Sequence, residues 1–510
     1  MRIKNAFRNS CFSVISQMVL LIIGFFSQRV LNLRMGEELV GMNSVISNII
    51  ALLSVTELGV STAVVFHLYG YMAAKDEEKI ASVMNLYRKA YSIFAVVISF
   101  LGLCILPFVH LVLKENSFSL DYIRLIYILW LVRTVCSYLL SYKRSVLIAD
   151  QQEYIITIGV LIASTMNYLA IIIIVELWQK YVLALSLNIV IEIVLNLLIS
   201  GYVNKKYTFL KKMQKLPIQK EIINKVISDV KNIFVSRLSL KLLVSTDSLI
   251  ISGFISVGIV GLYSNYCMIT QAVSNILITL SGTLQPIVGN MFVEKDHDKD
   301  YGVLRQLTFI FFWLASFCSS GLFTLMTPFV TDIWLGADYR LDTTIVLWCV
   351  INFFAQAISL PLSMMLGVTG LFQKDKKISV MAALTNLVIS LALVMPLGIV
   401  GVLVGTFFSH LLQIAYRMKV LIGEYMSKEL KQYFAELIQY VILTGLELVA
   451  VSFIGTQINK YDGWLYFVSM CLVCLLVPNL INLMIYFRSW RFRSILNMGL
   501  ELVGKPKCQS

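Results

Sequence analysis

The chain has 510 residues, 58% of them apolar and 14% charged, with 42 Lys plus Arg against 29 Asp plus Glu and a formal net charge of +13. A soluble protein carries about 25% charged residues, and a mean hydropathy of +0.81 leaves too few polar side chains to cover a water-soluble globule of this length. Disorder, a disulfide scaffold, a soluble enzyme and a soluble basic face for nucleic acid are excluded on these numbers, and an integral membrane protein remains.

A helix needs roughly 20 apolar residues to cross the hydrocarbon core. The apolar runs are long and continuous, not the alternating ten-residue segments of a transmembrane barrel, so the fold class is all-α and polytopic. Fourteen spans are expected: 11–33, 39–70, 90–113, 123–146, 155–175, 181–203, 232–256, 259–293, 303–328, 342–367, 378–395, 398–421, 434–455 and 464–487. The first follows Arg2, Lys4 and Arg8 but is too long for a signal peptide and lacks a small-residue cleavage site, so it is read as retained.

Lys and Arg mark the inner side of a membrane. With an inner N-terminus, 32 of the 42 basic residues fall inside, 6 outside and 4 within spans, residues at span ends being counted with the adjoining loop. Eight of the inner lysines lie between Lys205 and Lys231. Both termini are therefore expected on the cytoplasmic side. No loop exceeds about 30 residues, and no G-x-x-x-x-G-K-[ST] phosphate loop is present, which excludes hydrolysis-driven transport within this chain. Nothing in the pattern asks for a cofactor.

A shift of about 220 residues brings two halves into register. Val40-Gly41-Met42-Asn43-Ser44 falls on Val260-Gly261-Leu262-Tyr263-Ser264, Pro107-Phe108-Val109 on Pro328-Phe329-Val330, and Leu120-Asp121 on Leu341-Asp342; Asn167 lies near Asn386. Six spans per half is even, which implies parallel repeats related by an axis along the membrane normal, with a substrate site between them. The expected organisation is a six-helix lobe (1–203), a basic linker (204–231), a second six-helix lobe (232–421), spans 13 and 14 (422–487) and a basic tail (488–510).

Six plus six plus two spans resemble the polysaccharide (Wzx-like) flippases of the multidrug/oligosaccharidyl-lipid/polysaccharide exporter superfamily. Local stretches that are similar are Val244-Ser245-Thr246-Asp247, the run from Val260 to Tyr266, Trp334-Leu335-Gly336 and Pro396-Leu397-Gly398-Ile399-Val400-Gly401. The resemblance covers nearly the whole chain. It implies a carrier, not an enzyme, that moves lipid-linked oligosaccharide between leaflets, with membrane lipids and polysaccharide assembly proteins as partners.

Ionisable side chains inside spans cost about 2.5–3.5 kcal/mol each on insertion scales, so they face a cavity or a partner. Arg29 lies near a span end and can snorkel. Lys241 and Arg133 lie about ten residues into their spans, roughly 15 Å deep, where snorkelling is hard. Arg237 and Lys241 share a helical face with Ser245 and Ser248; Arg133, Ser137, Ser141 and Arg144 form a second stripe. The cargo that the resemblance implies carries a diphosphate, which Arg grips bidentately and Lys meets as a point charge. Arg133, Arg237 and Lys241 are therefore the expected substrate-binding residues. The intramembrane acids Glu57, Asp247, Glu192 and Glu447 are either salt-bridge partners or a proton or sodium site. Glu57 and Asp247 are the expected coupling-ion residues, whereas Glu192 and Glu447 read as packing residues.

Cys471-x-x-Cys474 reads as buried small residues within span 14. Asp296-His297-Asp298-Lys299-Asp300 has Tyr301 and Leu307 where a calcium loop needs Gly and Glu, so it reads as a solvated inner loop. Two other functions compete with the flippase. A multidrug or cation antiporter of the same fold should favour acids in its cavity, and a polysaccharide polymerase should carry a long outer catalytic loop, which is not seen.

Overall fold

The computed structural model describes residues 2–54, 60–212, 245–291, 296–458 and 463–494. Among these there is no β-strand, and twelve helices are long and apolar enough to cross a membrane. The first, Ser16–Leu53, contains the break expected between spans 1 and 2. Gly36 has φ 82°, a left-handed conformation that glycine adopts without a Cβ penalty, and it divides helix α1 (Arg2–Leu53) there. Most of the seventh expected span lies outside the described residues.

The described residues form two compact units, Met1–Gly261 and Leu262–Ser510. The first contains α1, α2 (Val60–Ala74), α3 (Glu77–Ile105), α4 (Leu120–Ser141), the short α5 (Arg144–Ala149), α6 (Glu153–Trp178) and α7 (Tyr181–Lys206). Residues 245–256, the described end of span 7, also fall in this unit. Helix α8 (Val257–Met291) leads into the second unit, which contains α9 (His297–Pro328), α10 (Thr343–Val368), α11 (Phe372–Leu397), α12 (Ile399–Met418), α13 (Leu430–Ile458) and α14 (Trp464–Tyr486).

Local chemistry sets the helix starts. Asp76 caps α3 by accepting from Lys79 N, Ser119 caps α4 by accepting from Tyr122 N, and Asp342 caps α10 by accepting from Thr344 N. The Asp296 carboxylate accepts from the backbone N–H of Asp298 and Lys299 at the start of α9, so the acidic run opens a helix. The internal matches fall on equivalent places. Pro107 and Pro328 lie where α3 and α9 give way to a 3-10 and a π turn, while Leu120-Asp121 and Leu341-Asp342 lie at the starts of α4 and α10. Asn188 turns its amide nitrogen to Asn167 Oδ1 at 3.2 Å across α6 and α7. Asn386 donates to Thr406 Oγ1 at 2.9 Å across α11 and α12.

Outer faces are apolar. Phe434, Val441, Leu446, Val449 and Phe453 on α13 are exposed, as are Leu465, Leu472 and Leu476 on α14. Water would not tolerate such contiguous surface on a monomer, whereas a hydrocarbon bilayer does. In the second unit Phe312 stacks on Tyr440 with ring centroids 4.1 Å apart, joining α9 to α13.

Candidate functional site

A cavity of about 620 Å³ opens within the first unit between α3, α4, α5 and α7. Helix α3 contributes Tyr87 and Tyr91, four residues apart on one face, with hydroxyls 2.7 Å apart. Helix α4 contributes Trp130, Arg133, Ser137 and Tyr138; Arg144 and Ser145 follow from α5, and Glu192 comes from α7. The Tyr91 and Tyr138 rings meet edge to face at 5.6 Å. The lining is thus aromatic walls, hydroxyls and three charges.

The two arginines are held differently. Arg133 Nε donates to Glu192 Oε2 at 2.7 Å, and its guanidinium lies 5.2 Å from the centre of the Trp130 ring. The pair is electrically neutral. Arg144 instead donates through Nη2 to Asn196 Oδ1 at 2.7 Å, while Asn196 Nδ2 is anchored on Glu192 O at 3.0 Å. Arg144 Nε is buried with no hydrogen-bond partner. Lys143, one residue before it, donates to Ser200 Oγ and Asn204 Oδ1, both at 2.8 Å. Among the described residues no carboxylate pairs with Lys143 or Arg144. The net positive charge at this end of the cavity therefore comes from Arg144, reinforced by Lys143 behind it.

Of the residues that the sequence singles out, Arg133 lines the cavity. Asp247 is half-buried in the helical run 245–254. Glu57, Arg237 and Lys241 lie outside the described residues. Glu192, read from Asn188 and Asn196 as a packing residue, turns out to line the cavity and neutralise Arg133. Trp130 and the three tyrosines are not picked out by sequence reasoning, although the four-residue spacing of Tyr87 and Tyr91 places them on one helical face.

An arginine with unused donors can take a phosphate oxygen through charge-assisted hydrogen bonds. Tyr and Trp faces offer flat apolar surfaces with a polar rim, suited to the faces and hydroxyls of a sugar. The described residues thus form a helical membrane protein whose first unit holds a cavity lined by aromatic rings, hydroxyls and three charged side chains.

The model of a family described as polysaccharide biosynthesis protein matches residues 6–292, more than half of the chain, and the chain belongs to that family. No curated protein sequence matches. Among solved structures, a lipid II flippase MurJ in an inward closed conformation aligns with TM-score 0.68 and 14% identity, covering 93% of this chain and 98% of that one. An inward-facing multidrug resistance MATE family transporter of the MOP superfamily aligns with TM-score 0.66 and 13% identity, covering 81% and 98%. A MOP superfamily transporter from Pyrococcus furiosus aligns with TM-score 0.56 and 11% identity, covering 84% and 97%. At these identities the likeness is one of fold.

Proposed function

We propose that the protein is a secondary transporter that flips polyprenyl-diphosphate-linked oligosaccharide repeat units across the bacterial cytoplasmic membrane by alternating access, for capsular, O-antigen or exopolysaccharide synthesis. The observation that carries this reading is the first-unit cavity, in which Arg144, held by the Asn196 amide, keeps a charge that no carboxylate among the described residues pairs with, beside a neutralised Arg133 and a wall of Tyr, Trp and Ser. In the orientation expected from the basic loops, α4 runs inward, so Arg144 lies towards the cytoplasmic side of Arg133, and the α7 residues that hold them, Asn196 and Glu192, are four positions or about 6 Å apart. A headgroup arriving from the inner leaflet would meet Arg144 first.

In this reading the diphosphate is gripped by Arg144 and passed towards Arg133, Arg237 and Lys241. The sugars hydrogen-bond to Tyr and Ser hydroxyls, and the lipid tail stays in the bilayer. Glu57 and Asp247 serve a proton or sodium gradient. The family membership supports the polysaccharide context, and the MurJ-like fold supports a lipid-linked cargo. A cation antiporter would use Glu192 as an acid in the cavity, but its charge is already taken by Arg133. Deleting the gene in its host tests the proposal: lipid-linked repeats should accumulate on the inner leaflet with drug sensitivity unchanged. Increased drug sensitivity with normal polymer export would overturn it.

A further inference from the structure

Helices α9, α13 and α14 pack together in the second unit, and the middle of this group carries one charged side chain, Glu447 on α13. From Gln306 to Thr331 along α9 and beyond, and from Trp464 to Tyr486 along α14, there is no Asp, Glu, Lys or Arg. Glu447 is fully buried, no cation pairs with it among the described residues, and neither carboxylate oxygen has a well-formed hydrogen bond, Ser316 of α9 and Asn482 of α14 being the polar side chains within reach. Asn482 is fully buried too; its nitrogen donates to Ser316 Oγ at 3.1 Å, while its Oδ1 accepts from nothing. An amide with an unsatisfied acceptor and a carboxyl group with no well-formed donor therefore share this buried site.

A buried ionised carboxylate without a cation or donor is among the most costly arrangements in a protein, and it avoids that cost by taking up a proton. A neutral acid can donate as well as accept, so it suits a site shared with an amide whose Oδ1 lacks a donor. From these observations we infer that Glu447, with Asn482 and Ser316, forms a membrane-buried proton-binding site between α9, α13 and α14. The groups around it fit that assignment. The nearest charged residue on its own helix, Glu436, is eleven positions away and is already bound by Arg305 and Arg491. The remaining neighbour of α13, the turn Lys419–Tyr425, packs at that same end, where Lys428 pairs with Asp298 and Tyr425 meets His297.

A row of hydroxyls leads away from the site along α9. Ser320 donates to Ser316 O at 3.1 Å and Thr324 to Ser320 O at 2.7 Å. Thr331 then donates to Thr327 O and to the exposed Asp332 carboxylate.

The test uses the full-length protein reconstituted in lipid vesicles, with dicyclohexylcarbodiimide, which modifies buried protonated carboxyls, and difference infrared spectroscopy against Glu447→Gln. At neutral pH the expected result is carbodiimide modification mapped to Glu447, equal in sodium and choline buffers, and complete loss of one protonated-carboxyl band in Glu447→Gln. Glutamine can still donate to Asn482, so this variant should fold; Glu447→Leu controls for loss of that hydrogen bond. Protection of Glu447 by sodium would overturn the proton assignment in favour of a metal-cation site. Absence of both the modification and the band in well-folded protein would overturn it in favour of an ionised carboxylate.

Discussion

Arg133 and Arg144 lie eleven positions apart in the chain yet differ in what holds them, and that difference predicts how each responds to substitution. Removing Arg133 strands Glu192 in a partly buried cavity, so Arg133→Gln should destabilise more than the double change Arg133→Gln with Glu192→Gln. The coupling in a double-mutant cycle should fall at about 0.5–3 kcal/mol, read from thermal unfolding in detergent. Equal loss in the single and double variants would dissolve the pair. Arg144 is bound by an amide and not by an acid, so Arg144→Gln should leave stability nearly unchanged while weakening anion binding. The sequence makes both residues visible, since depth and the stripe with Ser137 and Ser141 follow from helical periodicity. Their partners are invisible there, because Glu192 and Asn196 come from a helix more than fifty residues away, and which face it turns depends on packing.

At the scale of the element, span positions are legible because hydropathy and length decide them: runs expected at 155–175 and 181–203 become Glu153–Trp178 and Tyr181–Lys206. The glycines of the internal match carry more than the match itself shows. Within the first unit, a Cβ on Gly41 would strike the carbonyl oxygen of Val257, and one on Gly261 would strike the backbone of Glu37. Backbone cannot move aside as a side chain can, so two helices touch here at their glycines. Gly41→Val or Gly261→Val should cost about 1–3 kcal/mol or more and reduce the yield of monodisperse protein in detergent; wild-type yield from either would contradict the contact. Helix α3 offers a pH-dependent prediction. Lys79, through its side chain and backbone N–H, holds the Asp76 carboxyl below its ordinary range. A lowered native pKa means the cap stabilises fully above the unfolded pKa and is lost as pH falls through the native one. Amide-exchange protection over residues 77–80, taken relative to the intrinsic rate at each pH, should therefore fall in acid, and Asp76→Asn, which caps without titrating, should remove that fall. Which acids form pairs was less legible than the spans. Glu447 looks like any packing residue until two other helices are seen to bring it no cation.

For the whole molecule, the charge excess separates into two parts. Most of it belongs to loops and sets the expected orientation, with both termini cytoplasmic. A small remainder lies inside the membrane, and in the first unit Glu192 cancels Arg133, leaving Arg144 as the positive charge lining the cavity. Family membership supplies the polysaccharide-biosynthesis context, and the cavity supplies the chemistry on which the proposed function rests. The most direct test is a leaflet-accessibility assay with purified protein in vesicles that contain a fluorescent polyprenyl-diphosphate oligosaccharide. The account predicts flipping above protein-free vesicles by the wild type and near-complete loss in Arg144→Gln at equal protein content. Flipping by Arg144→Gln at the wild-type rate, or none by the wild type, would contradict it.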